Sequence, residues 1–168
     1  MPSKKVLGAD NQQAIENKIS NEYLSGFVDG EGCFYVGFGR RYDLPLKWQI
    51  ITEFHLSQNP GGKNVLEEFS NRLNCGYVKL NHPGNSKDKS WVLVVKDRKD
   101  LREKIIPFFK KYPLHTSKRV ELIIFENVLS VIEGKEHLVK EGFRKIVDLV
   151  FKNPRVTNKR YSKEVLLA

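Results

Sequence analysis

With 168 residues, the chain is long enough to bury a hydrophobic core, and we expect a single domain over residues 1–168. A hydrophobic fraction of 40% and a charged fraction of 29% exclude a chain that is disordered throughout. The 29 Lys and Arg residues against 20 Asp and Glu give a net charge of +9, which favours an acidic partner, nucleic acid before an anionic membrane.

The two cysteines, Cys33 and Cys75, are too few for a disulfide-stapled fold and do not have the spacing of a metal site. The four histidines show no zinc-binding spacing either. The N-terminus lacks the apolar core of a signal peptide, and no apolar run approaches the roughly 18 residues of a membrane span. We therefore expect a soluble, intracellular protein that is not secreted and has no membrane partner.

The first strong pattern in the chain predicts a helix over residues 20–29, with Ser20 or Asn21 as the cap and Gly30 and Gly32 as the stop. Its apolar residues recur at helical spacing: Tyr23, Leu24, Phe27 and Val28. Gly26 and Gly30 share one face, and glycine in a helix costs up to about 1 kcal/mol against alanine. Close approach of a second backbone to this face explains why two glycines are kept there. Glu31 then follows at the negative end of the helix dipole, where cations bind.

Two strands follow, because apolar and polar residues alternate over residues 33–42 and 47–57. In the first, Phe34 and its even-numbered neighbours form the apolar face and Tyr35 begins the open face. In the second, a mostly polar row from Gln49 to Ser57 forms a surface with hydrogen-bonding capacity. A turn with proline joins the two strands over residues 43–46.

The pattern then predicts a helix over residues 65–73 and a second hairpin of strands 77–80 and 91–95, joined by a long basic loop. The remaining elements are all predicted to be helical. The first begins at Asp97 and has a kink or break at Pro107. A long helix runs from Thr116 or Ser117 to Gly134, with Val120 and Ile123 among its apolar residues, and it is followed by a helix over 138–151 and one turn over 162–167. We expect residues 1–13 to form a flexible arm, 14–153 the core and 154–168 a basic tail.

One nine-residue run resembles the signature of the LAGLIDADG homing endonucleases: Leu24-Ser25-Gly26-Phe27-Val28-Asp29-Gly30-Glu31-Gly32. The resemblance implies an α+β protein with the αββαββα fold, an antiparallel DNA-binding sheet and, here, additional C-terminal helices. The order of elements that periodicity predicts agrees with it. Since the signature occurs once, the family's paired motif helices imply a homodimer, with four interface residues: Leu24, Gly26, Phe27 and Gly30.

The resemblance also implies a metal site at the end of the motif helix, formed by the Glu31 carboxylate and the Gly30 carbonyl. Oxygen ligands suit Mg²⁺; we expect Mn²⁺ to substitute and Ca²⁺ to support binding without cleavage. Asp29 is interpreted as structural, bonded to backbone or basic groups near the helix end.

Two further catalytic candidates follow from the resemblance. Gln58, at the end of the second strand, matches a position that orients the water network. Lys118 matches a lysine brought toward the cut phosphate, but the alignment is loose by a residue or two, so Arg119 and Lys111 are alternatives. Lys63 stands where some members carry an arginine near that phosphate.

DNA recognition is expected on the open strand faces, where base edges in the major groove are distinguishable. Arg41 and Lys79 suit guanine, Gln49 and Asn81 suit adenine, and Glu53 suits the cytosine amine. The full set of expected DNA-binding residues is Tyr35, Arg40, Arg41, Gln49, Glu53, His55, Lys63, Lys79, Asn81, Lys87, Lys89, Ser90 and Arg119. Among these, Arg40, Lys87, Lys89 and Arg119 are interpreted as phosphate contacts.

The function implied by the resemblance is that of a homing endonuclease, which makes a double-strand break in a long pseudo-palindromic DNA target by metal-dependent phosphodiester hydrolysis. Two alternatives on the same fold stay open, an RNA-binding intron maturase and a non-catalytic DNA-binding regulator. The expected compartment is an organelle, mitochondrion or chloroplast, or a prokaryotic cytoplasm.

Overall fold

A computed structural model describes residues 19–153 and 160–168; the predicted arm over 1–13 lies outside these residues. The strands are β1 (Gly32–Arg40), β2 (Trp48–Gln58), β3 (Tyr77–Leu80) and β4 (Trp91–Val95). The helices are α1 (Asn21–Glu31), α2 (Lys63–Leu73), α3 (Arg98–Asp100), α4 (Ile106–Lys111), α5 (Lys118–Glu133), α6 (Lys140–Phe151) and α7 (Lys163–Leu167). The strands form one antiparallel sheet in the order β1-β2-β4-β3, which confirms the predicted α+β arrangement.

Helix α1 begins as predicted and ends later. The Ser20 hydroxyl accepts a hydrogen bond from the Tyr23 backbone N–H at 3.0 Å, which is the expected cap. The helix continues through Gly30 to Glu31 and ends at Gly32, whose extended backbone donates to the Val28 carbonyl. Gly32 therefore ends the helix, and the motif acid lies in its last turn.

The two faces of the sheet alternate as the sequence predicts. Even-numbered residues of β1 and β2 lie on the helix side of the sheet, where Phe34 and Phe54 are buried, while Tyr35 and Gln49 point to the open face. Register supports this division, because Tyr35 pairs with Glu53 and Phe34 with Phe54. A polar sheet face is thus presented on the side opposite the helices.

The buried residues form two clusters. The first joins α1, the sheet and α4 around Leu24, Phe54 and Phe109, and the second joins the far end of the sheet to α5, α6 and α7. In the second cluster Leu166 is 3% exposed, and the Tyr161 ring meets Trp48 edge-on at 4.8 Å. Residues 160–168, predicted as part of a basic tail with one helical turn over 162–167, include α7 and add apolar side chains to this cluster; residues 154–159 lie outside the described part.

Two features of the C-terminal helices add to the sequence pattern. Val120 and Ile123, two of the apolar residues of the long predicted helix, are 48% and 50% exposed, because α5 turns Leu122 and Phe125 toward the core instead. Pro107, predicted as a kink or break, lies in the first turn of α4. A π-helical turn over Leu101–Ile105 precedes it, in which the Ile106 N–H donates to the Leu101 carbonyl, and the wide turn accommodates the proline. None of the described helices is both long and apolar enough to cross a membrane.

Thr52 is the basis of a stability prediction. It is 4% exposed on the core face of β2, opposite Val36, and its hydroxyl has no hydrogen-bond partner among the described residues. We expect Thr52→Val to stabilise the fold by about 1 kcal/mol, because it removes a buried unsatisfied hydroxyl at constant shape. Chemical denaturation measures the change. As a matched control, Thr116→Val should destabilise, since that hydroxyl is bonded to Asp29; an equal loss in both variants would contradict the prediction.

Candidate active site

The end of the motif helix meets the ends of two strands. Gly32, the first residue of β1, pairs with Leu56, and Gln58 lies two residues further along β2, so Glu31 and Gln58 share one end of the sheet. Glu31 is exposed, and its carboxylate makes no hydrogen bond or ion pair to any residue in the described ranges. Gln58 is half-buried, with its side-chain oxygen accepting from the Asn59 N–H at 2.7 Å. The acid is thus free to bind a ligand.

Asp29, two residues before Glu31, has a structural role, as predicted. Its carboxylate accepts from the His115 N–H at 2.7 Å, the Thr116 N–H at 3.2 Å and the Thr116 hydroxyl at 2.8 Å. The same hydroxyl accepts from the Lys118 N–H at 3.2 Å, at the first residue of α5. Asp29 therefore ties the end of α1 to the start of α5, where Lys118 lies.

The pKa of Asp29 reflects these bonds. Partial burial raises it, but the hydrogen bonds from His115 and Thr116 outweigh burial, and the net pKa is below the ordinary 3.8. A carboxyl whose pKa is lowered by folding stabilises the fold above its unfolded pKa, and this contribution is lost as the pH falls through the folded value.

We expect Asp29→Asn to destabilise the fold by about 2 kcal/mol at neutral pH, because an amide nitrogen would replace one of the two accepting oxygens and face an N–H donor. The difference in unfolding free energy between wild type and variant should be constant above about pH 5 and shrink below about pH 4. Urea denaturation over pH 3 to 7 measures it. A difference that does not change with pH would contradict the assignment of these bonds to an ionised Asp29.

Lys118 is 9% exposed, and its ammonium lies 3.6 Å from the Glu121 carboxylate, itself 7% exposed. Sequence reasoning missed Glu121, although its i,i+3 spacing from Lys118 on a predicted helix was a usable signal. Cys33 lies near both charges, and its thiol is largely buried although the residue as a whole is solvent-exposed. Burial and the Glu121 charge raise the pKa of the thiol, the Lys118 charge lowers it, and the net pKa is raised. Lys118 is thus a positioned cation at the edge of the site.

The alternative basic residues are held differently. Arg119 is exposed on α5, and Lys111 lies 5.5 Å from the Tyr112 ring. Lys63 forms an ion pair with Glu67 at 2.6 Å and lies over the Trp91 ring at 4.5 Å. Among the candidates, Lys118 has its backbone fixed by the Asp29 network, which favours it.

The donors at the helix end fit a hard cation. The Glu31 carboxylate and the Gly30 carbonyl are both oxygens, and the carbonyls of a last helical turn lack partners within the helix. Nearby carbonyls are already used: that of Val28 accepts from Gly32, and that of Asp29 from the Thr116 hydroxyl at 3.4 Å. Within the described residues no three His, Cys, Asp or Glu side chains are grouped to hold a metal. This end of α1 therefore offers a partial oxygen site with one carboxylate per chain.

The outer face of α1 is open. Gly26 and Gly30 are exposed, and a Cβ atom at either would have no atom within 4 Å. Beside them the Tyr23 ring, 54% exposed, stacks on Phe27 at 6.2 Å. Leu24, predicted at the interface, is instead fully buried in its own chain, because it points to the opposite side of the helix. Tyr23 also lies on this face, and it was not among the four predicted interface residues.

On the polar sheet face, five side chains make a connected group, which we call the Glu53 cluster: Tyr35, Glu53, His55, Tyr77 and Lys96. The Glu53 carboxylate is 2.7 Å from His55 Nε2 and 3.0 Å from Lys96 Nζ. The Tyr35 ring stacks on His55 with 6.1 Å between centroids. Glu53, expected to accept from cytosine, thus has both oxygens engaged, and sequence reasoning missed Lys96 and Tyr77 because they come from the second hairpin.

The other predicted DNA-binding residues divide by position. Gln49 and Lys79 are exposed on the polar face. Arg41 is held by two hydrogen bonds to Asp43, at 2.8 and 2.7 Å. Arg40 is on the opposite face of β1, where its guanidinium lies 3.8 Å above the Trp48 ring. Arg40 therefore points away from the polar face, and the contact with DNA that its position allows is one from the corner of the sheet.

The loop between β3 and β4 is ordered by its own polar groups. The Asn81 N–H donates to the Ser90 carbonyl at 2.9 Å, and the Ser90 N–H donates to the Asp88 carboxylate at 2.9 Å. The Lys87 N–H donates to the Asn85 side chain at 3.1 Å. Lys87 and Lys89 are exposed in this loop, as phosphate contacts require.

Relatives with similar sequences are named as probable intron-encoded endonucleases. The probable intron-encoded endonuclease 2 of Neurospora crassa is 30% identical over 133 residues, covering 77% of this chain and 28% of that protein. The probable intron-encoded DNA endonuclease 1 of Mycosarcoma maydis is 32% identical over 114 residues, covering 68% and 39%. The chain thus spans less than two thirds of the length of these curated relatives.

Solved structures agree with the fold. The crystal structure of the homing endonuclease I-TnaI superposes with a TM-score of 0.75 at 34% identity, covering 88% of this chain and 92% of that one. I-SmaMI, bound to its uncleaved DNA target in the presence of calcium ions, gives 0.75 at 27% identity, covering 82% and 46%. The model of the LAGLIDADG endonuclease family matches residues 24–129. Because that match covers more than half of the chain, from Leu24 in the motif helix through the whole sheet and most of α5, the chain belongs to the LAGLIDADG endonuclease family.

Proposed function

We propose that this chain is a site-specific homing endonuclease that cuts both strands of duplex DNA as a homodimer with Mg²⁺. The observation that carries the proposal is the uncommitted Glu31 carboxylate at the end of α1, beside the strand ends of a polar sheet face. The names of the two fungal relatives and the DNA-bound structure of I-SmaMI support it.

In the proposed reaction, the Glu31 carboxylate and the Gly30 carbonyl would hold Mg²⁺, and the bound ion would supply an activated water and a counter-charge for the phosphate. Mn²⁺ would serve in its place, and Ca²⁺ would allow binding alone. Lys118 is largely buried, with its ammonium 3.6 Å from the Glu121 carboxylate, and in the proposed reaction it stabilises developing negative charge. Gln58 hydrogen bonds the attacking water and orients it. Asp29 keeps Lys118 in place without touching the reacting atoms.

The dimer is proposed from the outer face of α1. The open glycines allow a second α1 helix to approach closely, and this brings a second Glu31 beside the first. Two carboxylates at about 4 Å repel by roughly 4 kcal/mol at an effective dielectric near 20, so the pair favours a bound divalent cation. The I-TnaI chain matches one unit of this size, while an I-SmaMI chain is about twice as long, which is consistent with two such units per site.

The DNA partner is proposed from charge and shape. A net charge of +9 attracts a polyanion, and the polar face of the sheet can enter the major groove with Gln49 and Lys79 toward base edges. The direct test is whether the purified protein with Mg²⁺ linearises a plasmid that carries the uninterrupted sequence of its host gene. An intact plasmid, together with specific binding to the intron RNA, would instead favour the maturase alternative.

Binding to duplex should weaken steeply with salt, because each neutralised phosphate contributes close to one unit of slope in a plot of log affinity against log salt. We expect Lys89→Ala to lower affinity for all sequences alike and to reduce this slope by about one. Lys79→Ala should relax preference at a particular base pair. Fluorescence anisotropy over a salt series measures both. If Lys79→Ala weakened all sequences alike and Lys89→Ala relaxed preference at one base pair, the loop would read bases and the strand face would contact phosphates, which contradicts the assignment.

A further inference from the structure

The Glu53 cluster presents a different chemistry to DNA than its central residue does alone. Both Glu53 oxygens are engaged, and the side chain is only 16% exposed, whereas Lys96 is 52% exposed. The outermost charge of the cluster is therefore the ammonium, not the carboxylate. Val94, beneath it on the same face, is 3% exposed, so the cluster rests on a closed surface.

The lysine is held at a defined point. Its ammonium lies 3.0 Å from a Glu53 carboxylate oxygen and close to Tyr77, and an ammonium with three N–H groups that is paired in this way keeps a donor for a further acceptor. The pKa of Lys96 is raised, mainly by the hydrogen bond to Glu53, so the group remains charged. A long side chain that is normally mobile thus has its end fixed before DNA arrives, which lowers the entropy lost on binding.

We propose that Lys96 is a specificity-determining residue that selects guanine at one base pair of each half-site, and that Glu53 is the positioning residue that holds it. This inference rests on the proposed function. Guanine offers the N7 and O6 acceptors in the major groove, while cytosine offers a donor amine that an ammonium repels. The cluster therefore accepts guanine and rejects cytosine where Glu53 by itself would do the opposite.

The test is selection of bound duplexes from a randomised DNA library in Ca²⁺, by the wild-type protein and by Lys96→Met and Glu53→Gln. Methionine keeps the apolar stem and removes the charge; glutamine keeps the shape of Glu53 and weakens its hold on Lys96. Lys145→Met, an equal charge change on the exposed face of α6 behind the sheet, is the matched control. We expect both test variants to lose about tenfold of guanine preference at the same base pair, and the double variant to lose no more than Lys96→Met.

Each other outcome is informative. If both variants select the wild-type motif unchanged, the inference is overturned while the proposed function stands. If Lys96→Met weakens all sequences equally and lowers the salt slope by about one, Lys96 is a phosphate contact and the inference also fails. If Glu53→Gln removes a cytosine preference, Glu53 reads the base itself. A wild-type protein that enriches no motif contradicts the proposed function, and the inference with it.

Discussion

The Glu31→Gln protein should bind its DNA target and fail to cut it. The substitution keeps the shape of the side chain and removes the charge that holds the metal, whereas the recognition surface on the sheet is untouched. A bound metal supplies several kcal/mol of charge stabilisation, so cleavage should fall by roughly a thousandfold or more. A gel shift in Ca²⁺ and a cleavage assay in Mg²⁺, on the same preparation, measure the two activities.

Glu141→Gln is the matched control, since Glu141 is an exposed acid on α6, behind the sheet. It should cut at the wild-type rate. Full cleavage by Glu31→Gln would refute the catalytic assignment. Loss of both binding and cleavage would show instead that Glu31 holds the dimer or the fold together. Because Glu31 makes no polar contact with described residues of its own chain, its removal should not destabilise the monomer.

Gly26→Leu should separate the dimer without unfolding the chain. Within one chain no atom lies within 4 Å of a Cβ at this position, so a leucine has room in the monomer. Between two closely packed α1 helices the same side chain overpacks the interface, at a cost of about 1 to 3 kcal/mol or more, which is a roughly 5- to 150-fold weaker dimer. Sedimentation should change from about twice the chain mass of 19.5 kDa to that mass, with the far-UV spectrum unchanged.

Gly84→Leu provides the comparison, since Gly84 is also open in the single chain but lies in the loop between β3 and β4. It should leave the mass of the assembly unchanged. A Gly26→Leu protein that remains a dimer, or a wild-type monomer that still cuts both strands, would rule out the proposed interface. An unfolded Gly26→Leu monomer would mean that α1 packs differently in the free chain.

The sequence was informative where the signal is local. Alternation with period two placed Tyr35, Gln49 and Glu53 on one sheet face, and helical spacing with capping residues located α1, α2 and α5 to within a few residues. The nine-residue motif pointed to the end of α1 as the site. Each of these follows from residues that are neighbours along the chain, because backbone geometry fixes which side chains share a face.

Only the tertiary structure decided what these faces meet. Asp29 and Thr116 are 87 residues apart along the chain, and their hydrogen bond depends on how α5 docks beside α1. The pairing of Glu53 with Lys96 needs β4 beside β2, an order that no local pattern encodes. The packing of Tyr161 on Trp48 is likewise a contact between distant segments. Local periodicity determined which residues share a face of each helix or strand. Which other segment of the chain packs on that face was decided by burial of the apolar surface of the whole fold.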